Sequence, residues 1–221
     1  MTTTKAYRIT IAFFAIIIGL YPCIYFINNY PYGLLQSKSE ALLSSIVYNT
    51  GFYTHISLGG LALLIGWIQF LPKLRERYRK LHRQTGHVYV IATSLSAVAA
   101  IYIAVYARGG IIATLGFMGL GLTWLYTTLR AYVTIKNKKV IQHQKMMTYS
   151  YAACFAAVTL RVYLPLLTLL LHDLTSAYLI VAWLCWLPNV LVAYLITRRL
   201  KYTKAATAAT ELHLHRKAKV N

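Results

Sequence analysis

Acidic side chains are almost missing: Glu40, Glu76, Asp173 and Glu211 are the whole complement of a 221-residue chain that carries 23 Lys and Arg. None of the four lies inside an apolar run. Proton pumps and cation-coupled transporters normally keep a carboxylate within the membrane, so this scarcity argues against that class. Cysteine is equally sparse. Cys23, Cys154 and Cys185 each sit in an apolar segment with no Cys-x-x-Cys, a pattern of small buried hydrophobes rather than of a disulfide framework or a zinc site. Catalytic triads, zinc-protease helices and phosphate loops are also absent. The run Gly116-Phe-Met-Gly119-Leu-Gly121 has the wrong spacing for a nucleotide loop and follows no strand, so it reads as close helix packing.

What the chain does have is apolar length. Hydrophobic residues make up 58%, charged residues only 12%, and the mean hydropathy is +0.54, too high for an ordinary soluble domain. A spanning helix needs about 20 mainly apolar residues. Six stretches qualify: residues 7–28, 51–71, 87–106, 110–133, 146–171 and 174–197. The expected fold is therefore all-α, a polytopic bundle of six transmembrane helices over residues 1–200. A basic tail follows over 201–221, and a short amphipathic segment lies on the outer surface at about 33–48. The first apolar run has no small-residue cleavage site after it and reads as a retained helix.

The net charge of +19 first suggests nucleic acid, but that needs a solvated basic face. Here every Lys and Arg except Lys38, Arg108 and Arg161 falls at or before the start of the first span, in or at the edge of the second-to-third or fourth-to-fifth connection, or after the sixth span. This is the positive-inside pattern, and it predicts that both termini are cytoplasmic. The expected partners are the bilayer itself and anionic inner-leaflet lipids at the basic loops, with no nucleic acid.

Candidate functional residues are few. His143, Met147, Ser150, Cys154, Ala157 and Arg161 recur by steps of four and three and share one helix face. A charged Arg161 is costly in hydrocarbon, so that stripe is expected to face the bundle interior. His87 opens the third helix and His143 precedes the fifth, at similar depth on the cytoplasmic side, as bis-histidine ligation of a b-type haem requires. The plainer reading puts both at the headgroups. His82, five residues before His87, reads as a loop residue. On the other side, His55 lies about 7 Å into the second helix and Arg161 about 27 Å along the axis from His143, which puts both near the outer edge of the core. They define an outer pocket in which Arg161 seeks an anion: a loop carboxylate, a lipid phosphate, a haem propionate or an anionic substrate. Snorkelling to the headgroups and a hydrogen bond between helices are the structural alternatives for Arg161 and His55. No metal cluster has the right spacing; His213 and His215 lack a third ligand.

The segments Phe70-Leu-Pro-Lys-Leu-Arg, Lys80-Leu-His-Arg-Gln-Thr-Gly-His-Val-Tyr, Gly116-Phe-Met-Gly, Trp124-Leu-Tyr-Thr-Thr-Leu-Arg-Ala-Tyr and His143 through Pro165 resemble the bacterial membrane family named domain of unknown function 2306. The resemblance covers about the middle two thirds of the chain and implies a bacterial inner-membrane protein. It brings no activity and no site residues. A looser similarity is to the cytochrome b561 type, in which histidines on the middle four of six helices pair second with fourth and third with fifth. Here His55, His87 and His143 fall on the second, third and fifth helices and the fourth has none, which leaves at most one pair. Three functions follow as expectations: an accessory or assembly protein, a haem- or quinone-linked redox protein, and a transporter or lipid-handling protein with the His55 and Arg161 pocket.

Overall fold

The computed structural model describes residues 2–27 and 33–198. Among these, all regular structure is helical, and six helices are long and apolar enough to cross a membrane. They are span 1 (Ala6–Ile27), span 2 (Ile46–Phe70), span 3 (Arg79–Ala104), span 4 (Gly110–Lys136), span 5 (Val140–Leu171) and span 6 (Leu174–Arg198). An even number of crossings returns the chain to its starting face. That face carries the basic connections and is called the basic face; the other, with the connection after span 1, is called the loop face.

Spans 2, 3 and 5 begin five to eight residues earlier than the apolar runs suggest. The extensions of spans 3 and 5, Arg79-Lys-Leu-His-Arg-Gln and Val140-Ile-Gln-His-Gln-Lys, are rich in polar residues that are good helix formers, so the backbone continues into the headgroup layer. This moves His82 from a loop onto a helix, sets His87 inside span 3 and sets His143 inside span 5. The outer amphipathic segment is likewise two pieces, a 3-10 turn at Gly33–Ser37 and a helix at Glu40–Leu43, with Ser39 capping the second piece and Ser45 capping span 2. Its Leu35 is buried against Tyr25, Tyr48 and Phe52, with Leu42 and Leu43 beside them, so the segment caps the bundle. Residues 28–32 and the tail lie outside the described residues.

Spans 2, 3, 4 and 5 pack in sequence around a shared interior; span 1 lies on span 2, and span 6 on spans 4 and 5. Small residues set the closest approaches. A Cβ at Gly60 would meet the Gly19 carbonyl oxygen at 2.6 Å, and one at Gly116 would meet the Ala182 carbonyl oxygen at 2.8 Å. Spans 1 and 2, and spans 4 and 6, thus meet backbone to backbone. Span 5 breaks at Phe155 and span 6 at Cys185. The breaks face each other. Thr159 Oγ1 and Asn189 Nδ2 both donate to the Cys185 carbonyl, and Asn189 also reaches the Ala152 carbonyl at 3.3 Å, so carbonyls that hydrocarbon cannot solvate find partners.

At the loop face, Lys38 donates to the Tyr106 carbonyl, and burial, then the neighbouring Arg108, pull its amine below the usual lysine range. Asp173 caps span 6 by accepting from Thr175 N at 3.1 Å and Ser176 N at 2.8 Å. The Ser176 side chain first, then these two backbone bonds, hold its carboxyl below the ordinary value. A depressed carboxyl stabilises the fold above the unfolded pKa, about 3.9, and that stability is lost as pH falls through the folded value. Asp173→Asn should therefore unfold with a flatter pH dependence below about pH 4 than the parent. Thermal midpoints of the two detergent-solubilised proteins at several pH values check this; parallel curves would refute it.

Candidate functional site

Polar side chains gather at three levels, one towards each face and one between them. Near the loop face, the guanidinium of Arg161 lies 4.5 Å from the ring centroid of Tyr21 on span 1, and its Nη1 donates to the Ala157 carbonyl at 2.9 Å. No carboxylate among the described residues forms an ion pair with it. A cation over an aromatic face gains about 0.5–2 kcal/mol, which offsets only part of the roughly 2.5–3.5 kcal/mol that Arg costs at the centre of a spanning helix. Tyr25 on span 1 and His55 on span 2 lie within its electrostatic reach. Both Arg161 and His55 are half-buried, so each keeps some open surface among the helices.

The tautomer of His55 follows from its bonds. Ser96 Oγ gives its one proton to the His55 carbonyl at 2.9 Å, and His55 Nδ1 lies 3.1 Å from that Oγ and 3.2 Å from the Ser96 carbonyl. Both partners of Nδ1 are then acceptors, so Nδ1 carries the hydrogen. Nε2 is left with its lone pair. The sequence places His55 and Arg161 at one depth near the outer edge; span 2 starts at Ile46, so His55 lies nine residues, roughly 13 Å, from its loop-face end, with Arg161 within electrostatic reach, and Tyr21 and Ser96 are the neighbours that sequence reasoning does not single out.

The middle group is a ladder of hydroxyls. Tyr89 Oη lies 2.9 Å from Ser150 Oγ, Ser150 Oγ lies 2.6 Å from Thr128 Oγ1, and Thr128 Oγ1 donates to the Trp124 carbonyl at 2.8 Å. Tyr89, Ser150 and Thr128 are wholly buried. Thr93 and Ser96 continue the same face of span 3, since positions 89, 93 and 96 follow helical spacing. That spacing is the signal available in the sequence. Of the expected inward stripe of span 5, Met147, Ser150 and Cys154 are buried, while His143, Ala157 and Arg161 are half-buried.

Near the basic face the two candidate haem ligands are not brought into ring contact. His87 is exposed, with Nδ1 on the Arg83 carbonyl at 2.7 Å and its ring 6.2 Å from that of Tyr132. His143 holds Nδ1 on the Ala131 carbonyl at 2.9 Å and has His82, rather than His87, within electrostatic reach. In both rings Nδ1 faces a carbonyl and Nε2 is left over, the arrangement Nε2 ligation uses. The described residues show no cluster of three or more His, Cys, Asp or Glu able to hold a metal ion.

Six apolar spans, a hydroxyl-bonded interior and an intramembrane cation on an aromatic ring define a polytopic α-helical membrane protein. The family model described as "Predicted membrane protein (DUF2306)" matches residues 52–197, and the chain belongs to that family. No curated protein matches the chain, and no solved structure does.

Proposed function

We propose that the protein is a lipid-handling or transport protein that receives the acid group of an amphiphile at Arg161 and His55, from the leaflet next to the loop face. The observation that carries this reading is Arg161: a half-buried guanidinium inside a span, held over Tyr21, with no carboxylate paired to it among the described residues. Its chemistry is complementary to that of His55. An acid group shares its proton with the Nε2 lone pair of His55 and its negative charge with Arg161, which suits a carboxylic acid or a phosphate monoester on an acyl chain. The spans around the pair let the chain of such a ligand stay in hydrocarbon.

The same reading places the protein in a bacterial cytoplasmic membrane with both termini inside and the loop face outward. The one-sided distribution of Lys and Arg supports that orientation. The test is binding of oleate and of dioleoyl phosphatidic acid to the purified protein. Arg161→Gln should raise Kd about tenfold or more, the worth of a charge-assisted hydrogen bond, while Arg161→Lys keeps part of the affinity. Unchanged Kd in a folded Arg161→Gln protein overturns the proposal. The response of one probe and not the other identifies the acid.

A further inference from the structure

The opposite face holds a feature that the acid site does not use. A cavity of about 420 Å³ opens between spans 1, 2, 5 and 6, within the usual range for small-molecule pockets. Its walls are almost wholly apolar, with Trp67, Phe70, Ala152, Phe155 and Ile196 among them. Among the described residues, one charged side chain lines it. Arg8, exposed near the start of span 1, stands at the basic end, and Asn189 braces the interior by donating to the Ala152 and Cys185 carbonyls. Phe155 lies 15 residues along span 5 from Val140, or roughly 22 Å, so the cavity runs from the headgroup layer towards the middle of the membrane.

The surrounding charge selects the occupant. Lys73, Arg75, Arg77, Arg79, Lys80 and Arg83 lie on the same face with only Glu76 among them. A neutral amphiphile gains nothing from that field, whereas an acidic headgroup is drawn to it and meets Arg8 at the point where its chain enters hydrocarbon. We infer that this cavity is the seat of a phospholipid with an acidic headgroup, its phosphate on Arg8 and one acyl chain between spans 1, 2, 5 and 6. The inference does not rest on the Arg161 site, which lies at the other face and shares none of the residues named here.

Native mass spectrometry of the full chain, released from micelles doped with phosphatidylglycerol or with phosphatidylcholine of the same chains, tests it. One phosphatidylglycerol per chain should be retained in preference to phosphatidylcholine. Arg8→Gln should cut that preference by about fivefold, the worth of one cation beside an anionic headgroup. Arg77→Gln, on the same face but outside the cavity, should cut it by clearly less, since it removes one of several charges of the surrounding field and no contact with the headgroup. Ala152→Trp should abolish retention of both lipids by filling the space; should that protein fail to fold, Arg8→Gln, at an exposed position, still decides between the outcomes. Equal retention of the two lipids by the parent, or equal losses in Arg8→Gln and Arg77→Gln, would show general attraction to the basic face and overturn the proposal. Retention of a neutral molecule in place of phosphatidylglycerol would do the same.

Discussion

Gly66→Leu is expected to destabilise the bundle by about 1–3 kcal/mol or more, through overpacking. Gly66 ends the α-helical part of span 2, where a Cβ would lie 2.5 Å from Tyr151 Cε2, 2.6 Å from Tyr151 Cδ2 and 2.9 Å from Tyr89 Cε2. The Tyr89 ring has no room to retreat, whereas that of Tyr151 also lines the apolar cavity and can give only by moving into it. Tyr89 is wholly buried and tied to Ser150, and Tyr151 is buried with its hydroxyl near the Leu63 carbonyl. Helix propensity works the other way, since replacing Gly by a helix former in a helix interior gains up to about 1 kcal/mol, so the clash has to exceed that gain. Gly86→Ala separates the two effects. A Cβ there would meet only Gln69 Oε1, at 3.7 Å, so this substitution should be neutral or stabilising. Reversible unfolding in mixed detergent, followed by circular dichroism, compares both with the parent; a Gly66→Leu protein as stable as Gly86→Ala would refute the packing argument.

The hydroxyl ladder makes the second large prediction. Counting protons orders it: Thr128 gives its hydrogen to the Trp124 carbonyl, so Ser150 gives to Thr128 and Tyr89 gives to Ser150. Each hydroxyl donates once, and the chain ends on a backbone oxygen. Ser150→Ala then removes the acceptor of Tyr89 and leaves its buried hydroxyl with Thr93 as the alternative, so the loss is bounded by the roughly 1–3 kcal/mol of a stranded donor in soluble proteins. Hydrogen bonds between membrane helices average about 0.6 kcal/mol and reach about 1.7, so a loss of about 1–2 kcal/mol is expected. Tyr89→Phe removes the donor itself and should cost less. The double variant should be more stable than the sum of the two single losses implies, because a phenyl ring on span 3 does not need the oxygen that an alanine on span 5 lacks. The same detergent unfolding measurement, run on the parent, both single variants and the double, closes the cycle. Simple additivity would show that the ladder is not one coupled unit.

How much is legible in the sequence differs by kind of information. Transfer energy is a property of composition, so the six spans and the sidedness of the cations can be read directly. Depth along a helix is a property of counting, which is why His55 and Arg161 can be placed together from opposite ends of two different spans. Backbone continuity is neither. Hydropathy falls at Arg79 and Val140 because the residues that follow are polar, yet their helices continue, and hydropathy alone leaves His82 in a loop for that reason. Lateral contacts are hidden too. The periodicity of span 3 marks Tyr89, Thr93 and Ser96 as one face, but not that this face meets Ser150 and His55. The break at Phe155 also carries no proline or glycine to announce it; Pro165, which does invite a break, sits inside the continuing helix.

The backbone contact of Gly19 with Gly60 reaches beyond packing. It seats span 1 against span 2, and span 1 lies before the stretch that matches the family, residues 52–197. Yet this span supplies Tyr21 beneath Arg161 at one face and Arg8 beside the apolar cavity at the other. The ladder of Tyr89, Ser150 and Thr128 owes nothing to it. Span 1 is thus common to both proposed sites, yet Ala15 and Tyr25 also carry it into the packed core, so a graft of a different first span that keeps Ala15, Gly19 and Tyr25 is the way to ask whether this helix sets ligand preference.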